Sequence, residues 1–222
     1  MRTKLPIRRA ALAALACAGL LLADRAPADL GGVIPPPAPK PAPARGTVLF
    51  SDDFADGKLD RWSPDRDKVW TPRYGMLRAT LPDEKQQHSM LYAGSEEWTD
   101  YAVEFDVCGM RGVDKGVVVR VRGRQGIGVD LRGPGYNDVL LHRTQFQLAR
   151  ASVVNGNAVW HHLRVEARAH GYRVYVNGRK VIAKVDNPGR VRRGRIALPA
   201  YTGGVGECTV YYDNVVVTKL EE

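Results

Sequence analysis

From residue 99 to 217 the chain is a succession of short runs in which apolar and polar side chains alternate, broken by Gly, Pro or Asn. Thr99 to Cys108, Gly116 to Arg122, Gly126 to Leu131, Trp160 to Arg168, Tyr172 to Val185, Gly194 to Ala200 and Cys208 to Val217 follow this pattern. A period of two puts every second side chain on one face of a strand, whereas none of these runs carries the 3.6-residue period of an amphipathic helix. Turn residues recurring between such runs predict an all-β chain folded as a two-sheet antiparallel β-sandwich. Each sheet then turns one face to the core and leaves the other free.

Parity sorts the side chains of the central runs. Tyr101, Val103, Phe105 and Val107 point one way, and Glu104, Asp106 and Cys108 the other. Val117, Val119 and Val121 are assigned to the core, opposite Val118, Arg120 and Arg122. Ile127, Val129 and Leu131 repeat the pattern and leave Asp130 and Arg132 outside. Thr47 to Phe50, Met76 to Thr80 and His88 to Ala93 supply further strands, with Trp62, Trp70, Trp98 and Trp160 as core anchors at strand entries. Asn177-Gly178 between two alternating runs predicts a hairpin with a type I′ turn, because both central positions need positive φ.

The amino end is organised differently. Arg2, Lys4, Arg8 and Arg9 precede an apolar stretch from Ala10 to Ala23, and Ala26-Pro27-Ala28 has the small-x-small pattern of a signal-peptidase site. The apolar stretch is shorter than the roughly 20 residues a transmembrane helix needs. Residues 1–28 are therefore read as a cleaved export signal, which places the mature protein in a secreted or periplasmic compartment. Lipid attachment at Cys17 is the rival, disfavoured because Ala14 stands where Leu is usual. Residues 29–45, rich in Pro and Ala, form a linker of extended polyproline character. Residues 46–222 form the sandwich domain.

Removing the leader lowers the net charge from +9 to +5, with the arginines spread over many strands. Nucleic-acid binders concentrate charge on one element or interleave it with stacking aromatics, so no nucleic-acid partner is expected. Cys108 and Cys208 remain after cleavage, each near the end of a run. An oxidising compartment would allow them one disulfide, the alternative being two buried thiols.

Several segments occur in a telling order: Asp52-Asp53-Phe54 with Gly57 and Trp62, Trp98-Thr99-Asp100-Tyr101, Gly116 to Arg120, Trp160-His161-His162-Leu163-Arg164-Val165, Val174-Tyr175-Val176-Asn177-Gly178, Gly194 to Leu198 and Tyr212-Asp213-Asn214-Val215. In this order, from about residue 47 to 219, the chain resembles the concanavalin A-like lectin and glucanase superfamily, specifically its laminin G-like and 3-keto-disaccharide hydrolase domains. The resemblance implies a jelly roll whose concave sheet binds a carbohydrate. It also raises, as a second reading, hydrolysis or elimination of a 3-keto glycoside, and a structural or protein-interaction domain of the cell envelope stands as a third. Laminarinase-type enzymes of the superfamily carry Glu-x-Asp-x-x-Glu, and here Gly109 replaces the last acid of Glu104-x-Asp106. Double-displacement glycosidases need two carboxyls about 5 Å apart, so that departure argues against their mechanism.

The residues so far assigned to the free face form the candidate site. Glu104 or Asp130 is the candidate base, and His142 the candidate acid. Arg120, Arg122 and Arg132 are candidate ligand clamps, and Tyr136 an exposed ring at a loop rim. The first and last strands of such sandwiches lie side by side, so Asp52, Asp53 and Asp213 are the candidate ligands of a structural Ca²⁺. Turn capping by the aspartates is the competing reading. His161-His162 cannot chelate one ion from a regular strand, because adjacent side chains point to opposite faces.

Overall fold

The computed structural model describes residues 46–221 apart from 134, 145 and 188–190. The expected export signal, Cys17 and the linker lie outside the described residues. No helix among the described residues is long and apolar enough to cross a membrane.

Among the described residues fifteen strands follow in chain order: β1 Val48–Asp52, β2 Trp62–Pro64, β3 Trp70–Arg73, β4 Met76–Leu81, β5 His88–Ala93, β6 Tyr101–Arg111, β7 Asp114–Arg122, β8 Gln125–Arg132, β9 Asp138–Arg143, β10 Phe146–Ser152, β11 Trp160–Arg168, β12 Gly171–Val176, β13 Arg179–Val185, β14 Arg195–Tyr201 and β15 Cys208–Lys219. They build two antiparallel sheets. The first has eight strands in the order β13-β12-β11-β6-β15-β4-β3, with β1 paired to β15, and the second seven in the order β10-β9-β8-β7-β14-β5-β2. The expected sandwich is present, and Asn177 and Gly178 both have positive φ at the tip of the β12–β13 hairpin.

The core lies between the sheets, where the inward parity of each central strand is buried. Tyr101, Val103, Phe105 and Val107 from the first sheet meet Val117, Val119, Ile127, Val129 and Leu131 from the second. Hydrogen bonds from buried tyrosines tie the two layers: the Tyr212 hydroxyl donates to Pro199 O at 2.6 Å and accepts from Gly116 N–H at 3.0 Å, and the Tyr101 hydroxyl accepts from Arg120 N–H at 2.6 Å. Gly116 has φ +155°, and a Cβ there would stand 2.0 Å from Val129 O, so only glycine fits.

Some strands, β9 among them, lie outside the runs read from the sequence. β10 sits at a sheet edge with no alternation in its burial, and β2 is three residues long around the expected Trp62 anchor. The disulfide expectation is corrected: Cys108 and Cys208 are both free thiols. Cys108 shares the outward parity of Glu104 and Asp106, while Cys208 belongs to the core with Val210 and Tyr212, so the two sulfurs lie on opposite faces of one sheet. Burial pushes both thiols up to about 11.

Candidate functional site

The outward face of the seven-stranded sheet has a floor of small residues. Register sets Ala197 beside Val118, Val118 beside Gly128, and Gly128 beside His142. One row along, Gly116 pairs with Asp130 and Asp130 with Leu140; the next row joins Tyr201, Asp114, Arg132 and Asp138. Gly116, Gly126, Gly128, Ala197 and Pro199 therefore leave a shelf from which the larger side chains stand up. Such a shelf suits a flat ligand bound by a few placed polar groups.

On its β8–β9 side stands an acid–imidazole cluster. His142 Nε2 lies 2.8 Å from Asp130 Oδ2, both side chains being largely shielded from water. Its Nδ1 donates to the carbonyl of Thr144, whose φ of 52° turns that oxygen back toward the ring. With a carbonyl on one nitrogen and a carboxylate facing the other, both nitrogens are placed to carry protons. Burial works against the charged ring, but Asp130, the Thr144 carbonyl and Asp114 outweigh it and raise the His142 pKa above 6.5. Asp114 is pushed up to about 7 by burial and then by the nearby Asp130 carboxylate, against the pull of Arg132, His142 and Lys115. Its Oδ1 is buried and has no hydrogen-bond partner among the described residues. The site thus holds a carboxyl that exchanges a proton near neutrality beside an imidazole that holds its proton more tightly than a free ring does.

Aromatic rings backed by guanidinium groups mark two ends of the shelf. Arg132 packs on Tyr136 at 4.5 Å, and Arg195 packs on Tyr92 at 4.5 Å. Arg132 is fixed by a two-pronged contact with Asp138, at 2.8 and 2.9 Å, and Arg150 pairs with the same buried carboxylate. Of the residues singled out in the sequence, Asp130, Arg132, Tyr136 and His142 thus come together, with Tyr136 exposed as expected. Asp114, Tyr92, Arg195 and Tyr201 were missed. Asp114 was legible by parity, two residues before Gly116, and Gly126 and Gly128 share the outward parity of Asp130.

Three expected members do not belong. Glu104 has the outward parity assigned to it, but on the other sheet, where Arg164 and His162 engage it. Arg120 is buried at 0% exposure. Its φ of 55°, at the irregularity between Val119 and Arg122, turns the side chain away from the outward face. There it donates to the carbonyl of Ala169 at 2.6 Å and that of Thr99 at 3.3 Å, and pairs with Asp100 at 3.1 Å. Arg122 sits exposed at the β7–β8 turn and faces Glu96 at 3.9 Å. The free face as read from parity is therefore divided among two sheets and the interior.

The acids proposed for Ca²⁺ have other duties. Asp52 accepts from Trp62 Nε1 and Phe54 N–H, both at 2.8 Å, and Asp53 accepts from Ala55 N–H, which is turn capping. Asp213 lies in register with Asp106 on the eight-stranded sheet. Among the described residues no group of three or more His, Cys, Asp or Glu is arranged to hold a metal ion.

Fold and site together define a jelly-roll β-sandwich of the concanavalin A-like type with a polar shelf on one sheet. Solved structures share that fold. The carbohydrate-binding module CBM66 from Bacillus subtilis is 16% identical at a TM-score of 0.60, covering 72% of this chain and 96% of that one. A β-1,3-1,4-glucanase (lichenase) from a mouse hindgut metagenome is 14% identical at 0.60, covering 77% and 99%. The β-glucanase of Bacillus licheniformis is 12% identical at 0.59, covering 80% and 100%. Curated proteins give no match. Residues 47–218 match the 3-keto-alpha-glucoside-1,2-lyase-like domain, and the chain belongs to that family.

Proposed function

We propose that this chain is an exported carbohydrate-binding domain that takes a glycan on the outward face of its seven-stranded sheet. The observation that carries the reading is the shelf of Gly116, Gly126, Gly128, Ala197 and Pro199, with Asp114 Oδ1, unpartnered among the described residues, beside it. Asp114, only partly buried as a residue, stands in register with Arg132 at the end of that shelf and gives a sugar hydroxyl a carboxyl to bond. Tyr136 and Tyr92 offer apolar faces for sugar rings, and their guanidinium partners offer donors to ring hydroxyls. The structural neighbours named for carbohydrate binding and glucan cleavage support the same assignment. Export rests on the basic-then-apolar leader.

The test is a glycan array on the purified protein, followed by titration of the best ligand against Asp114→Asn, Tyr92→Ala and Tyr136→Ala. Each substitution should weaken binding about tenfold or more, equivalent to about 1.4 kcal/mol. Unchanged affinity in all three would remove the shelf as the site.

The acid–imidazole cluster favours a second reading within the family, elimination from a 3-keto glycoside. The keto group acidifies the proton on C2, and Asp130 is the carboxylate placed to accept it. The electron pair left on C2 forms the C1–C2 double bond as the C1–O bond breaks. Asp114, whose proton exchanges near neutrality, would give it to the departing oxygen, while His142, in its protonated form, would stabilise the developing enolate charge. Turnover of a 3-keto disaccharide that is lost in both Asp130→Asn and His142→Ala tests this reading, and turnover retained by both variants contradicts it.

A further inference from the structure

Charge in the domain is segregated. Residues 46–222 hold 26 Lys or Arg against 22 Asp or Glu, but residues 164–195 alone hold ten against two. The rest of the domain therefore carries 16 basic and 20 acidic side chains and is net negative. The basic segment runs from the second half of β11 through the β12–β13 hairpin to Arg195, the first residue of β14 on the other sheet.

That region contains a cleft on the outward face of the eight-stranded sheet, opposite the shelf, lined by Arg168, Gly171, Arg173, Ala183 and Val185 among others. Register sets Gly171 against Val185 and Arg173 against Ala183, so small residues form the floor and two arginines the walls. Arg173 Nη1 reaches the Glu166 carboxylate only at 3.4 Å, while Arg164 grips the same carboxylate at 3.0 Å. Along the neighbouring edge strand, Lys180 is exposed on this same face, in register with Tyr175, while the exposed Arg179 and Lys184 stand in register with the core-facing Val176 and Tyr172; none of the three makes an ion pair within the described residues.

We propose that this face binds a polysaccharide whose sugars carry carboxylate groups. Cations spaced along a hairpin match repeating charges on a polymer better than they match one small anion. The Gly171–Ala183 floor beside the exposed Val185 gives a sugar ring an apolar bed, and Arg173 already faces a carboxylate in the way a ligand carboxylate would meet it. The ring among these cations, Tyr175 between Arg164 and Lys180, is only partly exposed and gives a base a poor stacking surface, so a nucleic acid is kept as an outcome of the test. The choice of a polysaccharide among polyanions rests on the carbohydrate reading above, while the surface itself is separate from the shelf.

Titrating the full chain with polygalacturonate at 50 mM and 300 mM NaCl tests the proposal. The expected result is binding that weakens at least tenfold at the higher salt and at least tenfold in the triple variant Arg168→Gln, Arg173→Gln, Lys180→Gln. Thermal melting of that variant should match the parent, because all three side chains are exposed. Asp130→Asn, on the opposite sheet, should bind polygalacturonate like the parent, so loss of the shelf reading and loss of this one are distinguishable. Unchanged binding in the triple variant overturns the proposal. So does equal or tighter binding of dextran sulfate, which has no carboxylates, or of a single-stranded oligonucleotide, and so does absence of polygalacturonate binding.

Discussion

The imidazole of His142 lies so close over Gly128 that a Cβ at residue 128 would stand 2.1 Å from its Nε2. The absence of a side chain on β8 is what lets the ring cross that strand and reach Asp130. Gly128→Ala should therefore displace the ring and separate it from the carboxylate. The expected readout is a His142 pKa that falls toward 6.5, measured by NMR titration of the ring protons. Binding or turnover at the shelf should drop with it.

Arg120 is a structural residue, and its substitution should report on stability rather than on the site. Arg120→Met leaves the carbonyls of Ala169 and Thr99 and the Tyr172 hydroxyl without their donor. Asp100 is partly exposed, which moderates the loss, so the expected destabilisation is about 2–4 kcal/mol. Chemical denaturation measures it. A loss under about 0.5 kcal/mol, ordinary for a surface substitution, would contradict the buried arrangement.

Stability should depend on pH in two windows of opposite sign. Asp114 titrates near 3.8 when unfolded and about 7 when folded, so the folded state holds the extra proton between these values. Its contribution is lost as pH rises through that window, and the raised His142 pKa extends the decline above 6.5. Lys115, buried beside the Gly109 backbone, is lowered by burial from 10.5 to about 8, so between those values the unfolded state holds the extra proton and stability rises with pH. Melting temperatures from pH 4 to 10 check both signs. Asp114→Asn should flatten the decline between pH 4 and 7 and leave the alkaline rise.

Cys108 and Cys208 should react only on unfolding. Iodoacetamide applied without reductant should leave both unmodified in the native protein and alkylate both in denaturant, as read by peptide mass spectrometry. Recovery of a linked peptide pair would show the bridge that the opposite parities of the two residues forbid.

Alternation made the fold legible because it survives in every strand with one buried face. β5 and β11 match their expected spans end for end. It failed at β10, an edge strand with neither face fully covered, where FQLARAS carries no period of two. The site was harder for two physical reasons. Parity tells which face of its own strand a side chain occupies, but not which sheet the strand joins, so Glu104 was grouped with Asp130 although the whole core separates them. Parity also assumes an unbroken pleat, and one left-handed residue, Arg120, reversed its own orientation. Asp130, Arg132 and His142 survived because β8 and β9 run regularly through the shelf.

The central claim is that the outward face of the seven-stranded sheet receives the sugar. Backbone amide shifts of the ¹⁵N-labelled protein, followed as the best neutral glycan from the array is added, test it most directly. The account predicts shifts concentrated at Asp114, Gly128, Asp130, Arg132 and His142. Shifts confined to β6, β11 and β15, around Glu104 and His162, would contradict it.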